Sequence, residues 1–334
     1  MSKDIILTGV KPTGRLHLGN LVGAVRPIIE MSKKSQAFVF IADLHALNII
    51  HNSKLLQEYV LEAIATFLAL GLDPKNAIFF CQSDVSEVSE LSTLLMSITP
   101  KGLMNRAHAY KAAMDKNIEK NEDVDSGINM GLYTYPVLMT ADILLYDSDI
   151  VPVGKDQKQH VEFARDIAGY FNNTYGETFK LPKSFISEDT GIIPGLDGRK
   201  MSKSYNNQIA IFDTESDLKK KIMRIITDSK LPNEPKNPDE SAIFLLYKHF
   251  ADKTAIKEMH EKFINGGISY GDAKKLLFET INNYLIEPRK EYERLIKNPN
   301  EIREILKLGA QRARKVAAET IARVKKAMGL NYFD

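Results

Sequence analysis

A doubly wound α/β fold with a parallel sheet, followed by an all-helical C-terminal region, is what this sequence predicts, and three observations carry the prediction. Short runs rich in β-branched and aromatic residues stand at Ile5 to Thr8, Ala37 to Ile41 and Ala77 to Cys81. Segments of helical periodicity separate them, an order that implies a parallel sheet with crossover helices. After Asn207 the strand-like runs vanish, and amphipathic patterns rich in Lys and Glu continue to the end.

The elements follow in order. The first run leads through Gly9, Gly14 and Gly19 into a helical pattern that begins at Leu21. Leu55 to Leu70 places apolar residues at helical spacing and stops at Gly71, a residue suited to a C-terminal cap. A helical insertion is expected at about residues 84–146, ending in the nearly unbroken apolar stretch Gly131 to Tyr146. A fourth strand, Ile150 to Val153, reaches Gly154, with a helix starting near Asp156. The expected division is a doubly wound domain over residues 1–207 and a helical domain over 208–334. Pro232, Pro235 and Pro238 mark a loop, and Pro288 and Pro299 punctuate the last helices.

Composition narrows the function classes. With 334 residues, 44% of them hydrophobic, the chain is long enough to bury a substantial core. The net charge of +2 means that a polyanionic partner must be met by a local basic patch, not by the field of the whole molecule. The single cysteine, Cys81, excludes an internal disulfide and a Cys-rich zinc site, and its apolar neighbours mark it as a buried thiol. Neither a signal-peptide core nor a stretch of membrane-spanning length is present, so the expected location is the cytoplasm.

Two segments suit phosphate chemistry. In Gly9-Val10-Lys11-Pro12-Thr13-Gly14-Arg15-Leu16-His17-Leu18-Gly19-Asn20, a glycine-rich turn opens onto a helix, so backbone N–H groups can face an anion. His17 and Asn20 can each donate to charge developing on a transferred phosphoryl group. In Gly195-Leu196-Asp197-Gly198-Arg199-Lys200-Met201-Ser202-Lys203-Ser204, two lysines three apart on a mobile loop can close over a triphosphate and neutralise departing pyrophosphate. Taken singly, an ordinary strand-to-helix turn and a solvated surface loop account for these two segments as well.

Together, and in this order, they resemble a family. His17-Leu18-Gly19-Asn20 resembles the HIGH motif of the class I aminoacyl-tRNA synthetases, and Lys200-Met201-Ser202-Lys203-Ser204 matches their KMSKS motif letter for letter. The resemblance implies a Rossmann-type catalytic domain in which an amino-acid carboxylate attacks the α-phosphorus of ATP. Mg²⁺ travels on the nucleotide, no dedicated protein metal site is needed, and the aminoacyl group then passes to tRNA.

The apolar helix candidate Gly131 to Tyr146 carries one carboxylate, Asp142, which is costly to bury without a donor partner. It reads either as a structural Asp or as the acceptor for a single indole N–H among apolar walls such as Met139. The stretch from Tyr135 to His160, including Val151-Pro152-Val153-Gly154-Lys155-Asp156-Gln157, is similar to bacterial tryptophanyl-tRNA synthetases. Phe40-Ile41-Ala42-Asp43-Leu44-His45-Ala46 and Tyr205 fit the same family, so the resemblance spans essentially the whole chain.

What that resemblance implies for this sequence can be stated residue by residue. Lys11, Pro12 and Thr13, with Gly19 and Asn20, would hold ATP phosphates. Gly154, Lys155 and Asp156 would meet the ribose, Ile193 the adenine, and Lys200, Met201, Ser202, Lys203 and Ser204 the pyrophosphate. His17, Asn20, Lys200, Lys203 and Ser204 would act in catalysis. Asp142 would read the indole nitrogen with Met139 and Gln157 nearby, and His45 reads equally as a pocket residue or as a satisfied structural histidine. The family commonly has Gln-Pro-Ser where Lys11-Pro12-Thr13 stands and Thr-Ile-Gly-Asn where His17-Leu18-Gly19-Asn20 stands. Both changes keep the groups that the chemistry needs.

The implied partners are L-tryptophan, ATP and tRNA(Trp), with a homodimer as the assembly. Near the C-terminus, Lys307, Arg312, Arg314, Lys315, Arg323, Lys325 and Lys326 share a stretch whose only acid is Glu319. In an anticodon-recognising domain these cations are expected to meet tRNA phosphates. Other readings stay open. A tyrosyl-tRNA synthetase would need partners for a phenol, and its usual pair of glycines before Ser-Asp-Gln is absent. A paralogue that binds ATP or tRNA without catalysis would be expected to carry degenerate motifs. A nucleotidyltransferase acting on a small cofactor precursor would share the His-x-Gly motif without needing the helical domain.

Overall fold

The computed structural model describes residues 4–154, 157–185 and 193–332. Five parallel strands, β1 (Ile5–Val10), β2 (Gln36–Ile41), β3 (Ala77–Cys81), β4 (Ile150–Pro152) and β5 (Lys183–Phe185), lie in the order β3-β2-β1-β4-β5. The first three were legible as apolar runs and β4 ends one residue early. The three-residue β5 is too short and too polar to announce itself.

The strands are covered on both faces, as parallel strands must be. Ala37, Val39, Ile41, Ala77, Phe79 and Cys81 enter one apolar cluster, while Phe38, Phe40, Ile78 and Phe80 enter a second on the opposite face. Cys81 is buried, and desolvation pushes its thiol far above the usual range.

The helices are α1 (Leu18–Asn20), α2 (Arg26–Ser32), α3 (Asp43–Ala46), α4 (Ser53–Ala69), α5 (Glu87–Met96), α6 (Lys101–Met104), α7 (His108–Glu119), α8 (Met130–Leu145), α9 (Lys158–Tyr175), α10 (Glu215–Met223), α11 (Ala242–Tyr247), α12 (Lys253–Ile264), α13 (Tyr270–Lys297) and α14 (Pro299–Ala327). A π-helical turn, Leu21–Val25, joins α1 to α2. Asn52 caps α4 by accepting from the Leu55 N–H at 3.0 Å, and Gly71, at φ +99°, ends it where the sequence places the stop. The stretch expected as an insertion, about residues 84–146, contains α5 to α8. Pro288 does not break the last helices apart, because it sits inside the 28-residue α13, whereas Pro299 stands at the first turn of α14, where its missing N–H costs nothing. In the proline-rich loop the buried Lys236 folds inward and donates to the carbonyls of Leu231 at 2.7 Å and Glu234 at 3.0 Å.

The helical part has no core of its own. Ile64 and Phe67 of α4 belong to the same buried cluster as Leu218, Ile222, Phe244, Leu277, Ile281 and Leu285. α13 packs along α4, and α14 returns to lie against β3. There a Cβ on Gly309 would overlap the backbone carbonyl oxygen of Phe79, so only glycine lets helix and strand come this close. Gly309→Ala should therefore force α14 outward and destabilise the protein by about 1–3 kcal/mol, the usual cost of overpacking. A denaturant midpoint unchanged from wild type would show that the helix yields without cost.

Four of the α14 cations expected to meet tRNA phosphates have partners among the described residues. Arg312 donates to the carbonyls of Pro74 at 2.9 Å and Ala77 at 3.3 Å, and Arg314 meets Glu87 at 3.1 Å. Arg323 meets both oxygens of Asp147 at 2.8 Å, and Lys325 reaches Glu90 at 3.2 Å. These four cations dock the helix onto the strand-bearing half, because their partners lie far away in sequence. Lys307, Lys315 and Lys326 make no ion pair among the described residues. No described helix is long and apolar enough to cross a membrane.

Candidate active site

The strand order changes direction between β1 and β4, and a ligand crevice is expected outside the carboxyl ends of strands at such a point. A cavity of about 380 Å³ opens there, lined among others by Lys11, His45, Met139, Asp142, Gly154 and Gln157. Its wall beside β1 depends on Gly9, since any Cβ there would run into the ring of Phe40. Tyr135 lines the same cavity and its hydroxyl lies 2.6 Å from Nε2 of His160. Lys155 and Asp156, expected at a ribose, lie outside the described residues.

After β1 the chain reaches the first phosphate segment. The helix begins at Leu18, three residues before the expected Leu21, because His17 and Asn20 cap it reciprocally. The Asn20 side chain accepts from the His17 backbone N–H at 3.0 Å, and His17 Nδ1 accepts from the Asn20 backbone N–H at 3.3 Å. With Nδ1 serving as acceptor, the ring proton resides on Nε2, which remains a donor. Burial, with help from Lys203 and then Lys200, lowers the His17 pKa to about 4, so the ring is a neutral donor at physiological pH. Gly19 allows the imidazole its place, since a Cβ there would stand 3.0 Å from the ring. Burial also holds Lys11 below the ordinary lysine range.

The lysine segment is a hairpin and not a loose loop. Pro194 and Lys200 form an antiparallel bridge around a turn at Gly198, whose φ is +77°. At its centre lies Asn207, which sequence reasoning did not single out. Its side chain donates to Asp197 at 2.6 Å and to the Lys200 carbonyl at 3.1 Å, and accepts from the Ser202 N–H at 2.8 Å. Gly195 makes room for it, because a Cβ at that position would overlap the Asn207 amide. Arg199 stacks over the Tyr205 ring at 4.2 Å while binding Asp197 at 2.6 Å. Met201 is buried, which roots the hairpin, and its N–H donates to the Ile193 carbonyl at 2.8 Å. Ile193 is itself a core residue.

The two phosphate segments meet. Leu18 donates to the Ile209 carbonyl at 2.9 Å and Ile211 to the Leu16 carbonyl at 3.0 Å, which laces the exit of the hairpin to the first motif. Lys203 lies over Gly14, whose absent Cβ would stand 3.1 Å from the ammonium nitrogen and whose φ of +127° also favours glycine. Burial lowers the Lys203 pKa, and Glu62 opposes the shift.

At the floor of the crevice, Asp142 is 2% exposed. His45 Nε2 lies 3.0 Å from Oδ2, and the amide nitrogen of Gln82 lies 2.9 Å from both carboxylate oxygens. The carboxylate therefore has the donors that its burial demands, and His45 is one of them. Burial raises the Asp142 pKa, while the hydrogen bonds from His45 and Gln82 oppose the rise. Gln82, fully buried just beyond β3, escaped sequence reasoning because nothing local marks it.

Comparisons agree with this architecture. The family model described as tRNA synthetases class I (W and Y) matches residues 2–286. The tryptophan–tRNA ligase of Neisseria meningitidis serogroup A is 49% identical over 333 residues, covering 99% of each chain. That of Pseudomonas aeruginosa is also 49% identical, over 97% of this chain and 73% of its own. The crystal structure of the Campylobacter jejuni tryptophanyl-tRNA synthetase complexed with ADP and tryptophan superposes with a TM-score of 0.88 at 45% identity, covering 97% of this chain and 99% of the other. The sheet, the two phosphate segments and these likenesses agree, and the chain belongs to the class I tRNA synthetases, among the tryptophan–tRNA ligases.

Proposed function

We propose that this protein is a tryptophan–tRNA ligase that activates L-tryptophan with ATP and transfers it to tRNA(Trp). The observation that carries the reading is Asp142, a buried carboxylate at the floor of the crevice with an acceptor direction left for one further donor. A single indole N–H suits it, and Met139 supplies apolar wall.

The chemistry needs no protein nucleophile. The tryptophan carboxylate attacks the α-phosphorus of ATP, the bond to the β-phosphate breaks, and pyrophosphate leaves. The adenylate then passes its aminoacyl group to a hydroxyl of the terminal tRNA ribose. Lys200 and Lys203 neutralise the departing charge, and His17 Nε2, neutral and fixed by its cap, donates to the developing oxyanion. Mg²⁺ bound to the ATP phosphates would share that neutralisation. Among the described residues no cluster of three or more His, Cys, Asp or Glu is placed to hold a metal ion.

The cognate relative from Campylobacter was solved with ADP and tryptophan, which supports both ligands for the same crevice here. A homodimer suits the exposed apolar side chains of Leu47, Ile49 and Met130, chain neighbours of Asn48 and Gly131, which are joined by a hydrogen bond of 3.2 Å.

ATP–pyrophosphate exchange run with tryptophan and with tyrosine tests the reading. Exchange is expected with tryptophan alone. Exchange with tyrosine alone would keep the fold and overturn the pocket, and binding of ATP without exchange would leave a non-catalytic paralogue.

A further inference from the structure

Gln82 follows the carboxyl end of β3 and is fully buried, and its side chain hydrogen-bonds His45 and Asp142. Its side-chain oxygen accepts from the backbone N–H of His45 at 3.4 Å. That contact fixes which end of the amide faces Asp142, and the nitrogen is the end that does. A ring of contacts results: His45 N–H to Gln82, Gln82 amide to Asp142, and His45 Nε2 to Asp142. The two partners are not equivalent. His45 meets only Oδ2, while the Gln82 amide spans both oxygens, so Oδ2 is met twice and Oδ1 once.

A carboxylate oxygen accepts about two hydrogen bonds. Oδ2 is therefore filled from inside the protein, and Oδ1 keeps one direction open. We infer that Gln82 is the positioning residue for tryptophan selection, clamping the Asp142 carboxylate so that Oδ1 presents its remaining acceptor direction to the indole N–H. Without the Gln82 amide the carboxylate can turn about its Cβ–Cγ bond, and either oxygen can turn to His45. The protein then loses a fixed acceptor, and not merely some packing volume. The inference rests on the tryptophan reading above, and it assigns to a residue just beyond β3 a part in choosing the substrate through Asp142.

Gln82→Met keeps the length of the side chain and removes the donor. The expected result is a 10- to 100-fold rise in KM for tryptophan, the loss that one fixed hydrogen bond to a buried charge produces. KM for ATP should stay within about twofold of wild type. The decisive readout is selectivity, measured by pyrophosphate exchange with tryptophan and with the isostere carrying ring sulfur in place of the indole N–H. Wild type should prefer tryptophan strongly, and the variant should lose most of that preference. In an Asp142→Asn background, Gln82→Met should add less than about threefold, because it acts through a carboxylate already gone.

A variant that keeps the full preference, or in which both KM values rise together while the melting temperature falls, would assign Gln82 to packing alone. Gln82→Leu, which removes the donor with a branched apolar side chain, supplies the same comparison where the methionine variant does not fold. Wild type that shows no exchange with tryptophan would remove the function and the inference together. Wild-type exchange alongside intact variant selectivity would remove only the inference.

Discussion

Asp142→Asn should raise KM for tryptophan about 30- to 1,000-fold and leave ATP binding nearly unchanged. The side chain keeps its volume, so the cavity is not enlarged. What changes is donor and acceptor count: the asparagine NH₂ must face either the Gln82 amide, the His45 Nε2 or the indole N–H, all of them donors in the wild-type arrangement. A buried donor facing a donor forfeits a hydrogen bond and leaves both groups unsatisfied, a cost of about 2–4 kcal/mol, or roughly 30- to 1,000-fold. The same logic bears on selectivity. A site built to pair a substrate's polar group rejects an analogue lacking it by about 10⁴ to 10⁵. Steady-state exchange kinetics with tryptophan and its sulfur isostere check the point, and an asparagine variant with wild-type selectivity would refute the indole acceptor.

Lys203→Ala should slow tryptophan activation by about 10²- to 10³-fold, the usual loss when one preorganised donor to developing charge is removed. Affinity for tryptophan should barely change, because Lys203 lies over Gly14 on the phosphate side, away from Asp142. The hairpin itself should survive, since Asn207 and Met201 brace it and the Lys203 side chain does not. Single-turnover rates of adenylate formation separate this outcome from a loss of binding. Equal rates in variant and wild type would take the hairpin out of the mechanism.

Much of this was legible in the chain because the relevant signals are local. β1, β2 and β3 announce themselves as apolar runs, α4 by its period and its glycine stop, and the lysine hairpin by five consecutive residues. The helix start at Leu18 was missed because histidine is an uncommon cap, and only the structure shows Asn20 answering it. Gln82 was missed because its partners lie 37 and 60 residues away, and no pattern of neighbours encodes such a contact. Asn207 stood next to the expected boundary and was passed over as linker, although ten residues separate it from the Asp197 that it holds. The intramolecular partners of the α14 cations were missed for a related reason. The helix's charges are visible in sequence, but Glu87, Glu90 and Asp147, which answer them, are not adjacent to it. The helical region likewise looked separate because a change of secondary structure is visible in sequence and a shared apolar cluster is not.

The docking of α14 against β3 has a temporal side. β3 is the first strand of the sheet order and so has a sheet partner on one side only. Its other side is met by Gly309 against the Phe79 carbonyl and by Arg312 on the carbonyl of Ala77. The residues that cover this strand edge follow β3 only after more than 200 further positions of the chain. Until α14 has been made the nascent sheet keeps an unpaired edge, the kind of surface that recruits foreign strands. A chain cut short before α14 would keep that edge uncovered, and is expected to aggregate or be degraded more readily than one that carries the helix.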